Sequence, residues 1–276
     1  MKKKLLVTLS VIVCAVALII GSVAGTLAYL RVYVSVTNTF TFGKVAISLD
    51  ETDVDDHGIP VLNAQGEKTR DYANRYLLMP GKSYTKDPVI HVGEESQAMF
   101  LFLKVDNGIA GLALTQQDLD KLAAENVDNP GYEVPRTIHQ QLLDAGWKVY
   151  ADESGKAYQN TSESNAHGST LVSTSTVYYL SIGADVGDVD PKVVCGNKVE
   201  AAAGVEKATD IPTFEIFTVS PSNATEDTMT AYVNNNASVV VTAFAIQSSG
   251  EGINDYHDAA AVFETEFASA IPTTTP

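Results

Sequence analysis

Five acidic residues, Asp50, Glu51, Asp53, Asp55 and Asp56, fall within seven positions, the densest set of hard oxygen donors in the chain. Calcium is bound by such oxygens. Asp53-x-Asp55-x-His57-Gly58 follows the opening of a calcium loop, but its twelfth position is Ala64, where a bidentate glutamate is required. Asp53, Asp55 and Asp56 are therefore weak calcium candidates, and a solvated loop is the simpler reading. Asp185, Asp188 and Asp190 form a second weak set. His57, His91, His139, His167 and His257 are scattered, and none stands in a His-Glu-x-x-His pair. A helical zinc protease needs two imidazoles one turn apart with a glutamate between them. His139 is followed by Gln140, Gln141 and Leu142 instead. There is no serine-nucleophile motif, no Cys-x-x-Cys pair and no phosphate loop. The expectation is a protein that is not an enzyme and carries no cofactor.

The stretch Tyr29 to Phe42 offers a different chemistry, that of backbone pairing. Leu30, Val32, Val34, Val36, Phe40 and Phe42 lie on one face, and polar residues, Tyr29 and Tyr33 on the other. Such alternation marks a strand. Fourteen residues at about 3.3 Å each reach roughly 46 Å, more than twice a common strand. Either the strand bends between two sheets, or part of it leaves the domain to add to a neighbour's sheet edge. An ordinary first strand is the plain alternative.

What precedes this stretch positions it. Lys2, Lys3 and Lys4 are followed by an apolar run from Leu5 to Ile20 and then by small residues to Ala28. These are the three regions of an export signal. Thr26 and Ala28 fit the cleavage site, so Tyr29 becomes the new N-terminus; an uncleaved anchor is the alternative. Cleavage removes three lysines and no acid, moving the formal charge from −16 to −19. So acidic a surface repels itself and is unsuited to nucleic acid. Only Cys195 then remains, so no internal disulfide can form and the core must hold the fold.

After Gly43, read as a hinge, alternation resumes out of phase at Val45, Ile47 and Leu49. Residues 50–75 read as a long exposed loop. Pro80-Gly81 is a turn, Val89 to Val92 a strand, and Met99 to Val105 an apolar run suited to a strand covered on both faces. Thr115 with Asp118 forms a capping box for a short helix, and Pro135 to Ala145 is a second. Trp147 opens a hairpin turning at Asp152 to Gly155, and the polar NTSESNAHGST reads as a flexible loop. TVYYLSIG, PTFEIFTVSP and ASVVVTAFAIQS are further strands. Asp258 is expected to cap a final helix carrying Phe263 and Phe267. The expected fold is all-β, a two-sheet jelly-roll-like sandwich with a few short helical insertions. Residues 1–28 are the signal peptide, 29–42 an arm, and 43–276 one β-sandwich domain.

With KKKLL, GTLAYL, SVTNTFTFGKVAISLDE, LLMPGKSYTKDPVI and VVVTAFAIQSSG in view, the chain resembles the TasA and camelysin family. These blocks lie in roughly the first 105 and last 40 residues, and 106–235 carry no match. The resemblance implies export through a SipW-type signal peptidase and contact with the membrane only before cleavage. It also implies a secreted jelly-roll subunit that forms biofilm-matrix fibres by donating its N-terminal strand, at Leu30, Val32, Val34, Val36, Phe40 and Phe42, to the next copy. Arg31-Val32-Tyr33-Val34 departs from the short polar residues that often follow AYL in the family, which puts cleavage at Ala28 in doubt. The same family allows a surface adhesin or minor fibre-anchoring protein, and a camelysin-like metallopeptidase that the absent zinc motif disfavours.

Overall fold

The computed structural model describes the backbone of residues 31–34 and, more fully, residues 45–93, 99–180, 209–247, 252, 253 and 255–271. The expected cleavage residues Thr26, Ala28 and Tyr29, the arm residues Leu30, Val36, Phe40 and Phe42, the hinge Gly43, the second acidic set and Cys195 lie outside these.

The main sheet is built on the two most apolar runs. β6 (Met99–Asn107) and β12 (Val239–Gln247) pair antiparallel over their whole lengths. β1 (Arg31–Val34) lies on the far side of β12, and β9 (Ser169–Leu180) on the far side of β6. The far edge of β9 is shared by β7 (Trp147–Val149) and β8 (Gln159–Ala166). Met99 to Leu103 are all buried, so neither face of β6 alternates towards water. This is the burial expected of a strand covered on both sides.

A second sheet covers one of those faces, in the order β10 (Thr209–Pro212), β5 (Val89–Val92), β2 (Ile47–Thr52) and β3 (Arg70–Asp71). β4 (Ser83–Thr85) and β11 (Ile216–Thr218) pair in the same register as β5 and β10, so the two ladders continue one another. The break between them falls at Pro88, which has no N–H to donate. Thr213 Oγ1 donates to the Pro88 carbonyl at 2.6 Å and Lys86 N to the Glu215 carbonyl at 2.9 Å, closing the gap. Leu101, Leu103, Val105, Val241, Ala243 and Ala245 meet Val45, Ile47, Leu49, Ile90, Val92 and Ile211 in the core between the sheets.

The other face is covered by α4 (Tyr256–Ala261) and α5 (Glu264–Phe267). Phe100, Phe102, Val177, Phe244 and Ile246 pack there against Ala259, Ala260, Phe263 and Phe267. The fold is thus mostly β and sandwich-like, with the C-terminal helices acting as a third layer. The cap is Asp255, whose carboxylate accepts from His257 N and Asp258 N, and not Asp258 as expected.

α1 (Gln116–Glu125) begins with the expected capping box at Thr115 and Asp118, and α2 (Ile138–Asp144) with a Thr137 cap. α3 (Glu226–Asn234), capped by Thr225, was not anticipated. The polar segment after Gln159 is not a loop: β8 and β9 form a hairpin through His167 and Gly168, both at positive φ. Two consecutive residues with φ > 0 make the tight turn whose twist suits a hairpin. Residues 50–75, expected as one exposed loop, are so only in part: Asp50 to Thr52 belong to β2 with Glu51 and Thr52 buried, Arg70 and Asp71 form β3, and Val54 is buried. The mostly exposed stretch between runs as a small ladder in which Asp53 N donates to Thr69 O at 2.9 Å and Val61 N to Asp53 O at 2.8 Å.

Candidate assembly edge and buried charge cluster

β1 occupies the edge of the main sheet, with Val32 opposite Ala245 and Val34 opposite Ala243. Ala243 and Ala245 are fully buried in the inter-sheet core, so the β12 positions in register with Val32 and Val34 carry only methyl groups. Arg31 and Tyr33 stand opposite Ile246 and Phe244, the β12 positions that face the helices. Among the described residues, Val239 to Thr242 are paired on the β6 side only. Beside that uncovered half lies a groove of about 310 Å³ walled by Leu49, Tyr72, Pro88, Val240 and Val241, with Val240 45% exposed.

The floor of the same groove is charged. The alternation of β2 carries on from Ile47 and Leu49 to Glu51, which is consequently buried. Its carboxylate meets Lys86 Nζ at 2.7 Å, and Lys86 is buried too. Asn74 Nδ2 donates to the other oxygen of Glu51 at 2.9 Å and to the Thr52 carbonyl at 2.8 Å, while Asn74 Oδ1 accepts from Val54 N at 3.0 Å. Thr52, fully buried, donates from N and from Oγ1 to the two oxygens of Asp87, both at 2.7 Å. The Tyr76 hydroxyl donates to the Thr85 carbonyl at 3.0 Å, and burial with the Glu51 and Asp87 charges holds its pKa far above the ordinary phenol value.

A second network runs along the outer surface of this sheet. Arg70 binds Asp50 through Nε and Nη2 at 2.7 and 2.6 Å. His91 bridges Asp50, at 2.9 Å from Nε2, and Asp210, at 2.6 Å from Nδ1. Burial works to lower the His91 pKa, but the hydrogen bonds and charges of the two carboxylates outweigh it and the net shift is upward.

The calcium candidates do not converge. Asp55 accepts from Ile59 N and His57 N, at 2.9 and 2.8 Å, and these bonds hold its pKa below the usual carboxylate range. Asp53 accepts from Thr69 Oγ1 at 3.1 Å, and Asp56 is exposed. Among the described residues no three acidic, histidine or cysteine side chains are grouped so as to hold a metal ion. His139 lies elsewhere, its Nδ1 2.8 Å from the Tyr178 hydroxyl beside a cavity of about 300 Å³ walled by Val105, Ile109, Leu112 and Phe217. Burial lowers its pKa, favouring the neutral ring.

The residues missed in the sequence are Glu51 as a buried group, Lys86 and Asn74. Glu51 was legible, since it is the next inward position of an alternation already recognised, whereas Lys86 and Asn74 meet it only through tertiary pairing. Comparison with protein-family models, curated proteins and solved structures finds no match to this chain.

Proposed function

We propose that the chain is a secreted subunit of an extracellular matrix fibre of the TasA and camelysin type, polymerising by donation of its N-terminal strand. The observation that carries the reading is the apolar alternation of residues 29–42, four residues of which form the edge strand on β12. An edge strand at a chain end is held by one ladder, and the same ladder can be made with the next copy. Such a head-to-tail exchange is heterologous, so it propagates instead of closing. Before assembly β1 fills its own edge; in the fibre residues 29–42 of one copy would fill the edge of another, with Gly43 as the hinge.

In this reading residues 1–28 are removed by a SipW-type peptidase, residues 43–276 form a jelly-roll domain, and a separate protein anchors the fibre to the cell surface. The charge of −19 keeps free subunits apart until salt or acid screens it. Main-chain bonds give the contact its direction, and each fully buried Val or Phe contributes about 1.5–3 kcal/mol.

The test is negative-stain microscopy of chains starting at Tyr29 and at Gly43, beside Val34→Asp in the longer one. Filaments are expected from the first alone, with Val34→Asp folded and monomeric. Filaments from the chain starting at Gly43 would remove the arm from the mechanism. Monomers throughout would return β1 to the role of an ordinary edge strand.

A further inference from the structure

Glu51, Lys86 and Asn74 are brought together from three chain segments: β2, the bend between β4 and β5, and the connection after β3. One carboxylate holds an amine on one oxygen and a primary amide nitrogen on the other, at 2.7 and 2.9 Å. The orientation of the amide is set by its partners, because its oxygen faces the Val54 N–H and its nitrogen faces a carbonyl and a carboxylate. Glu51 and Lys86 are only 6% and 8% exposed. A buried ion pair is weak evidence for stability, since apolar residues of the same size often do as well. The trio contains what an acyl transfer requires: an amine nucleophile, a carbonyl whose oxygen is already hydrogen-bonded, and an acid–base group touching both the entering and the leaving nitrogen.

We propose that Lys86 and Asn74 become joined by an intramolecular isopeptide bond, with Glu51 as the proton-transfer group. The Lys86 ammonium gives one proton to Glu51 across their 2.7 Å contact, leaving a neutral amine and a neutral acid. The Nζ lone pair attacks Cγ of Asn74, and the Val54 N–H stabilises the charge that develops on Oδ1. Glu51 relays a proton from Nζ to Nδ2, the Cγ–Nδ2 bond breaks, and ammonia leaves. It carries away the remaining proton as ammonium, so that Glu51 is again a carboxylate and the new Nζ–Cγ amide is neutral. No oxidant, metal or enzyme is needed. Cavities of about 420 and 310 Å³, both lined by Asn74 and Lys86, give the leaving group a way out. The bond ties the connection between β3 and β4 to the bend between β4 and β5, beside the buried Glu51 of β2. It stands apart from the fibre reading and holds whether or not the protein polymerises.

The test is tryptic mapping of the full chain by mass spectrometry. The expected result is a branched species joining residues 71–75 to a peptide containing Lys86, lighter than its two parts by one ammonia, with no cleavage after Lys86. Glu51→Gln keeps both nitrogens in place but cannot relay the proton, and separate linear peptides are expected. In Asn74→Asp the branch is expected to form with loss of water in place of ammonia. A native chain that gives the linear peptide 71–75 and is cleaved after Lys86 overturns the proposal. So does an ammonia loss confined to a cyclised asparagine elsewhere. A branch of full yield in Glu51→Gln would remove Glu51 from the chemistry.

Discussion

The two faces of the main sheet are built on different terms. On the helix side Phe102, Phe244, Phe263 and Phe267 pack with one another, Phe244 and Phe267 edge-to-face at 5.2 Å. Much of this layer comes from one short stretch of chain at the C-terminal end, and its polar contacts lie further along the strands, where Ser175 Oγ donates to Asp106 at 2.6 Å and lies 3.1 Å from Ser269 Oγ. The face towards the second sheet holds aliphatic and aromatic residues from many segments, Tyr84 and Phe217 stacked at 5.1 Å among them, and around it lie the cavities, the Glu51 and Lys86 pair, and Asp118 buried against Ser220. Stability that depends on area alone can be supplied by a local aromatic lid. The buried Glu51 and Lys86 pair and the buried Asp118 draw their partners from several segments of the chain, on the sheet-to-sheet side.

The sharpest way to break this contrast is Phe267→Ala. A fully buried aromatic removed from the lid should cost about 3–5 kcal/mol, read as a fall in urea midpoint at unchanged slope. A loss below about 1 kcal/mol, the scale of a surface change, would mean that the helices only rest on the sheet.

Asp118 probes the other face. Its carboxylate accepts from Thr115 N, Thr115 Oγ1 and Ser220 Oγ at 3.0, 2.8 and 2.7 Å. Burial works to raise its pKa, but these bonds prevail and hold it at about 2. Asp118→Ala should cost about 1–3 kcal/mol through the donors left unpaired. A folded pKa below the unfolded one stabilises above the unfolded value of about 4. That contribution should fade as pH falls towards 2, and equilibrium unfolding of the native chain against the variant should show the gap closing in acid.

His91 gives the smallest expected effect and the opposite sign. Its pKa is raised in the fold, so its pairing with Asp50 and Asp210 stabilises fully below the unfolded value of about 6.5 and is lost as pH rises through the folded one. His91→Gln should be less stable than the native chain at pH 5 and nearly equal to it at pH 9. A difference that does not change with pH would assign His91 a packing role only.

How much of this was legible in the sequence depends on how local each cause is. Met99 to Val105 could be read as a doubly covered strand because burial on both faces leaves a continuous apolar run. The Thr115 and Asp118 box was equally plain, since cap and partner are three residues apart. The β8 and β9 hairpin was not, because β8 is polar on both faces and its turn is His167-Gly168 in place of a common Asn-Gly. α3 escaped because Asp227, Thr228, Thr230, Tyr232, Val233 and Asn234 carry little helical preference, and packing of Ala231 and Tyr232 decides the matter. Asp255 took the cap expected of Asp258 because both can cap, and only the entry angle of the chain chooses. At the charge cluster, the alternation of Ile47 and Leu49 runs on to Glu51, which the acidic composition of residues 50–75 assigned to a loop instead, and nothing local could say that Asn74 and Lys86 would meet it.

The polar ribbon of β8 closes one border of the main sheet, with Glu163 and its serine neighbours turned to solvent. Charged and hydroxyl-bearing rims discourage another strand from adding there. Among the described residues the opposite border ends at β1. If β1 exchanges as proposed and the β8 rim stays unpaired, a chain of such units would have two unlike ends, one presenting a vacant border and the other a free strand. Growth would then be directional, and a single unit able to accept but not to donate would stop it.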